Sequence, residues 1–409
     1  MNRSASNNEL TEHLFRNFYQ EVFSSLVVKF GSEHIDLIED ALQESFYKAH
    51  KSWKYDNYPE KPKNWLFIVT RNHIINELRK STKKQGVMPE LSDQESPLLN
   101  LERSRDDQLQ LLLISSRLAI KPRAKMIFIL KVICGFGVNE IANSLLLKTD
   151  NVYRISQRVK QKLKALPKTR FEQPSEMNIS LEDASYLLQV IYFIFNEGYD
   201  AMSVSSEEAI NESICYEALR LAHLLEGATN SSATRNVLAL FYFHMARFSA
   251  RIDSEGTFVS LRNQDRRLWD QDCIQLGTNY LSKPERLNRY YLEALIASFH
   301  SRAESFETTA WSEILRLYDA LLSIVDTPVI RLNRAICLFE SGNTEAGKEA
   351  LDQLKGSLED SYLYYSVSMA EYLKDKDESL SRYWFQKSLE VTKQPFRKVL
   401  IQKKMDGTN

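Results

Sequence analysis

Apolar residues recur at three- and four-residue steps along most of this chain, the spacing that lines one side of a helix. In "HIDLIEDALQESFYKAHKSW" the stripe is Ile35, Ile38, Leu42, Phe46 and Ala49. In "TDNVYRISQRVKQKLK" it is Val152, Ile155, Val159 and Leu163. Alternating β-branched runs are few, and only 12 Gly and 10 Pro punctuate 409 residues, so an all-α fold is expected. A first helical block falls within a domain of residues 1–84 and a second within 109–170. Between them, residues 85–108 are polar with two prolines and read as a linker. "PKTRFEQPSEMN" is a hinge, and residues 171–409 form a long helical domain. In the second block Pro122 opens a helix that Gly135 and Gly137 end. Asn139 to Leu146 makes a short helix, and Thr149 or Asp150 caps the third.

With 43% hydrophobic and 26% charged residues the chain has the composition of a soluble folded protein with an ample core. Its formal net charge of −1 conceals a division. Residues 1–170 hold 28 Lys and Arg against 19 Asp and Glu, a net of +9, and the remainder holds 25 against 35, a net of −10. A basic front calls for a polyanion, and an acidic back for a basic partner, which the front itself could be. Cys134, Cys215, Cys273 and Cys337 are scattered without metal-site or disulfide spacing, as in a reducing cytosol. The N-terminal stretch lacks the apolar core of a signal peptide. The longest apolar runs fall short of the ~20 residues a membrane span takes. The expected compartment is the cytoplasm.

The third helix of the second block turns Tyr153, Arg154, Gln157, Arg158 and Gln161 away from its apolar stripe, with Lys160, Lys162 and Lys164 further along. A helix-turn-helix lays such a helix in the major groove, where Arg pairs with guanine, Gln with adenine, and lysines reach phosphate. The same pattern suits a solvated helix packed on a neighbour; the absence of any acid from Asn151 to Arg170 favours DNA. The first block carries an acidic helix face: Asp36, Glu39, Asp40, Gln43 and Glu44. Phosphate would repel it, so it is either solvated or docked on a basic protein surface. After it come Trp53, Lys54, Tyr55 and Tyr58, then a helix bearing Arg71, Asn72, Asn76, Arg79 and Lys80. Aromatic rings among positive charges suit unpaired bases, which need a face to stack on and neutralised phosphates. Trp65 and Phe67 read as core, and Trp53 fits either role.

In the back half, Asn196, Glu197, Tyr199, Asp265, Arg266, Asp270 and His300 sit in apolar surroundings, as catalytic groups do. No glycine-rich phosphate loop, metal-spaced pair or nucleophile motif accompanies them. They read as groups that satisfy one another or the backbone, and His223, His244 and His300 as packed or exposed histidines. No enzyme activity, metal or cofactor is expected.

"IEDALQESFYKAHKSW…NWLFIVTRNHIINELRK" resembles the second conserved region of extracytoplasmic-function sigma factors of bacterial RNA polymerase. "VNEIANSLLLKTDNVYRISQRVKQKLK" resembles their fourth. The resemblance implies a transcription initiation factor that does no chemistry itself. Asp36, Glu39, Asp40, Gln43 and Glu44 match the face that docks on the β′ clamp helices, with the β flap as a further polymerase contact. The loop from Trp53 to Lys63, including Lys54 and Tyr55, together with Arg71, Asn72, Asn76 and Arg79, matches the part that captures the melted minus-ten element. Tyr153, Arg154, Gln157, Arg158, Lys160 and Lys162 match the reader of duplex DNA at the minus-thirty-five element. The back half is similar to the helical extension of one group of these factors, itself similar to tetratricopeptide arrays. In "PVIRLNRAICLFESGNTEAGKEALDQL" the small residues Ala335, Gly342 and Ala346 fall where paired helices approach. The extension is then expected to contact the sigma domains and regulate them in cis, and the resemblance implies that activity needs it. The alternative is a DNA-binding helical adaptor or ligand sensor that works without direct polymerase binding.

Overall fold

The computed structural model describes residues 18–53, 59–83, 104–144, 147–166, 179–199, 210–253, 258–358, 362–392 and 395–407. Among these, helices account for the regular structure, with one isolated bridge between Ile252 and Phe258 in place of any sheet. The expected all-α class holds. The described residues group into two compact units, Met1–Ala142 with Leu147–Phe193, and Asn143–Leu146 with Ile194–Asn409.

In the first unit, α1 (18–30) buries Tyr19, Val22, Phe23, Leu26 and Val27. A 3-10 turn, Ser32–His34, leads into α2 (Ile35–Ser52). The predicted stripe of α2 is buried throughout, from Ile35 to Ala49. Each such side chain contributes about 1.5–3 kcal/mol when fully removed from water. Next, α3 (Pro62–Lys83) opens on proline and packs on α2, where Thr70 Oγ1 donates to Ser45 Oγ at 2.9 Å. The following helix, α4 (Ser104–Arg117), starts inside the segment read as linker. Gln108 Nε2 on α4 donates to Gln20 Oε1 of α1 at 2.9 Å, so the end of that segment is part of the core.

As expected, Pro122 opens α5 (Pro122–Phe128), which runs on into a π-helical turn, Ile129–Ile133. The apolar run ends at Gly135, whose φ of +75° favours glycine and whose added Cβ would lie 2.7 Å from the Tyr19 ring. Then come α6 (Val138–Ser144) and α7 (Thr149–Lys164), with α7 packed on α5. Val152, Val159 and Leu163 are buried as predicted and Ile155 is half-buried. The predicted cap is corrected: Lys148, not Thr149 or Asp150, occupies the cap position, and it makes no side-chain cap bond.

From Leu181 to Tyr199 runs α8, whose beginning belongs to the first unit and whose end to the second. The second unit continues with α9 (Glu212–Thr229), α10 (Ser232–Met245), α11 (Gln271–Tyr280), α12 (Arg289–Arg302) and α13 (Trp311–Ile324). Then follow α14 (Pro328–Glu340), α15 (Thr344–Asp352), α16 (Leu363–Leu373), α17 (Glu378–Val391) and α18 (Pro395–Asp406). Successive helices pack on one another: α12 on α13, α13 on α14, α14 on α15, α16 on α17 and α17 on α18. Starts are set by side chains that accept from the free amides of a first turn, as Asn288 from Tyr291 and Thr327 from Ile330. Of the small residues expected at the α14–α15 approach, Ala335 is buried, but Ala346 is exposed. Gly347, one place along, faces α14, and its added Cβ would lie 2.9 Å from the Phe339 ring. Gly342, at φ +86°, serves the turn between the helices.

Candidate functional site

The acidic face of α2 divides in two. Asp40, Gln43 and Glu44 are exposed, and Glu44 pairs with Lys48 one turn on and with His73 of α3 at 3.3 Å. Asp36 and Glu39 are engaged. Lys160 of α7 is only 5% exposed and pairs with both, 3.1 Å from Asp36 and in direct contact with Glu39, itself 7% exposed. Lys164 pairs with Asp36, and Lys131 of the π turn reaches Glu39 at 3.0 Å. Ser32 Oγ adds a neutral tie, donating to the Leu163 carbonyl at 2.9 Å. Burial would push the Asp36 carboxyl up, but Lys164 and Lys160 outweigh it and hold it below the ordinary aspartate value. For Lys160, burial pulls down, and Glu39 with Asp36 more than restores it, to above the ordinary lysine value.

On the other side of α7, Tyr153 is 56% exposed, Arg154, Arg158, Gln161 and Lys162 are exposed, and Gln157 is half-buried. Arg154 Nη2 donates to Asn151 Oδ1 at 2.9 Å, and Lys162 Nζ to the Ala119 carbonyl at 3.1 Å. The helix thus has two basic flanks with different uses. Lys160 was grouped with the outward set, and that placement is corrected: its ammonium is buried against α2. Periodicity put it beside Gln157 and Gln161; it could not show a carboxylate 121 residues away.

On α3, Asn72, Asn76 and Arg79 are exposed along one side together with Ile68, which the sequence reading did not single out. Arg71 is half-buried. Phe67 is fully buried, as read, while Trp65 and Trp53 are half-buried and meet edge to face at 5.3 Å. Trp53 ends α2, and Lys63 is tied to Glu21 of α1. Lys54, Tyr55 and Tyr58 lie outside the described residues. Lys131 was also missed, and Lys164, placed with the outward lysines, pairs with Asp36 instead. Lys131 could have been noticed, since one lysine inside the apolar run "IFILKVI" needs a buried partner.

Of the polar groups weighed as catalytic in the back half, Asp265, Asp270, Arg266 and Tyr199 have partners within the fold. Asp265 accepts from the Arg267 amide, Asp270 from the Cys273 amide that starts α11, and Arg266 donates to the His300 and Ala303 carbonyls. Tyr199 lies under Arg251, 3.8 Å from guanidinium to ring centre. His223 meets the Tyr242 hydroxyl at 2.8 Å, and His244 is pulled down to about 3 by burial. No cluster of three or more His, Cys, Asp and Glu that could hold a metal occurs among the described residues. No helix among them is long and apolar enough to cross a membrane.

Residues 14–84 match sigma-70 region 2, and residues 184–285 match a family of unknown function (DUF6596). An uncharacterized protein of Rhizobium meliloti (strain 1021) is 33% identical over 346 residues, covering 81% of this chain and 80% of that protein. No solved structure matches. Region 2 is the part by which sigma factors, which are non-enzymatic initiation factors, engage RNA polymerase and promoter DNA. The chain therefore belongs to one family with the Rhizobium meliloti protein, and residues 14–84 make it a sigma-70 family protein, followed by a long C-terminal part whose described residues are helical.

Proposed function

We propose that the chain is an extracytoplasmic-function-type sigma factor. Its second helical block reads the minus-thirty-five element, and its C-terminal helices, similar to a tetratricopeptide array, regulate it in cis. The observation that carries the reading is the exposed Tyr153, Arg154 and Arg158 face of α7, in the same compact unit as the region 2 match. One protein then carries a duplex reader and a polymerase-binding region, the two parts promoter-specific initiation needs. Asn72, Asn76 and Arg79, with Trp53 at the head of the loop, supply polar groups and a ring for the unpaired minus-ten strand.

The ion pairs on α2 add a requirement. Asp36 and Glu39, assigned to the β′ clamp helices, are taken up by Lys160, Lys164 and Lys131. The polymerase then competes with the protein's own lysines, and productive binding separates α7 from α2. In this reading the described form is the resting one.

Promoter binding measured with and without purified core polymerase tests the assignment. A sigma factor of this kind holds its promoter specifically only with core present. Tight, specific binding to duplex DNA by the protein alone, unchanged by core, would instead make it a DNA-binding adaptor.

A further inference from the structure

The second unit holds a half-open cavity of about 440 Å³, within the range that small-molecule sites occupy. It lies between the segment from Phe258 to Gln264, the end of α12 and helices α13, α14, α16 and α18. Rings supply one wall: Phe306 and Trp311 stand 4.8 Å apart, and His300 meets Trp311 edge to face at 5.3 Å. Four cations line the space, Arg247, Arg262, Arg397 and Lys404, against two carboxylates, Glu340 and Glu371.

Both carboxylates are already matched. Glu340 accepts two bonds from Arg262, at 2.8 and 2.7 Å, and Glu371 pairs with Lys404. Arg247 differs. Its Nε donates to Gln264 Oε1 at 3.1 Å and its guanidinium lies 5.5 Å from the Trp269 ring, but it has no carboxylate partner among the described residues. Burial and the nearby charges of Arg251 and Arg266 pull its pKa down, the mark of a cation held among cations. Beside it, His300 Nδ1 is buried without a hydrogen-bond partner. Burial and the Arg247 charge keep that ring neutral, with a pKa of about 3. A half-buried guanidinium without a carboxylate partner is costly, and Arg247 lies on the wall of this cavity. An anion in that cavity gives the Arg247 guanidinium the counter-charge it lacks. A cationic ligand would find the carboxylates already spent.

We propose that this cavity binds a small organic acid, its anionic group held by Arg247 and its apolar or aromatic body lying against Phe306 and Trp311. The guanidinium supplies a charge-assisted bond to the anion. The inference rests on this unit alone and is independent of the sigma-factor reading.

Two probes of nearly the same shape test it on the full chain: anilinonaphthalene sulfonate, an aromatic anion, and phenylnaphthylamine, which lacks the anionic group. Fluorescence titration is expected to show saturation at one anilinonaphthalene sulfonate per chain. Arg247→Met is expected to weaken that probe about tenfold or more, as loss of a charge-assisted bond implies, and to leave phenylnaphthylamine within about twofold. Ser260→Trp, which fills the cavity from a position whose side chain makes no cap bond, is expected to abolish binding of both. Circular dichroism shows whether each variant is folded, and Ser260→Trp decides the location even if Arg247→Met is not. No binding to the native chain overturns the proposal, as does equal sulfonate affinity in a folded Arg247→Met or unchanged binding in Ser260→Trp.

Discussion

Arg154 and Arg158 expose their guanidinium groups on α7, where a side chain that reads a base edge must lie. Each bidentate contact to a guanine is worth about 1–3 kcal/mol of discrimination, or roughly tenfold to a hundredfold. Arg154→Ala with Arg158→Ala is therefore expected to abolish promoter-specific transcription while core binding, assayed by co-elution, is unchanged. Loss of core binding in the folded double variant would mean that the surface is wrongly assigned. Gly135 makes a separate test at the same scale. Its positive φ and the Tyr19 ring beside it leave no room for a methyl group. Gly135→Ala is expected to lower stability by about 1–3 kcal/mol in denaturant unfolding, with activity in the folded fraction unchanged.

At the scale of elements, the contact between α2 and α7 decides which surfaces are available. Removing one partner of a buried pair such as Lys160 with Glu39 costs about 3–5 kcal/mol, whereas exposed pairs are worth about 0–1 kcal/mol. Lys160→Glu should therefore part the helices and strengthen core binding, read by titration of labelled protein with core; weaker or unchanged affinity would show that the contact does not restrain it. The contact also has a pH window. Asp36, with its pKa lowered, stabilises above the ordinary aspartate value and loses that contribution as pH falls through its folded value, below about 4. Lys160, with its pKa raised, stabilises below the ordinary lysine value and loses that contribution as pH rises through its folded value, above about 10.4. Hydrogen-exchange protection in α2, taken relative to the intrinsic rate at each pH, should thus be greatest between these limits and fall on either side; constant protection would contradict the assigned pairs.

Both helices' core faces were legible in the sequence, because a stripe at three- and four-residue steps has one way to be buried. So was the outward set Tyr153, Arg154 and Arg158. What α2 and α7 do to each other was not, since a charge pattern shows which residues are polar but not which distant partner meets them. Lys160 illustrates the limit: one step around the helix from Gln157, it belongs to a different surface. The shift from Ala346 to Gly347 has the same origin, because the turn at Gly342 sets the phase of α15 and a small residue on either side satisfies the sequence pattern.

For the whole molecule, the basic first 170 residues and the acidic remainder motivate regulation in cis, and the charges alone carry no sign. The family resemblance supplies one: a chain ending at residue 172 is expected to lose promoter-specific transcription. Full activity of that fragment would remove the regulatory role. Arg117 of α4 pairs with Asp183 of α8, so the fragment also gives up a contact of the first unit, and its fold must be checked beside its activity. The central claim is tested most directly by run-off transcription with purified core polymerase and a genomic promoter library, with and without the full-length protein. Promoter-specific transcripts that appear only when the protein is added are the predicted result. Their absence, with no binding to core, would contradict the account.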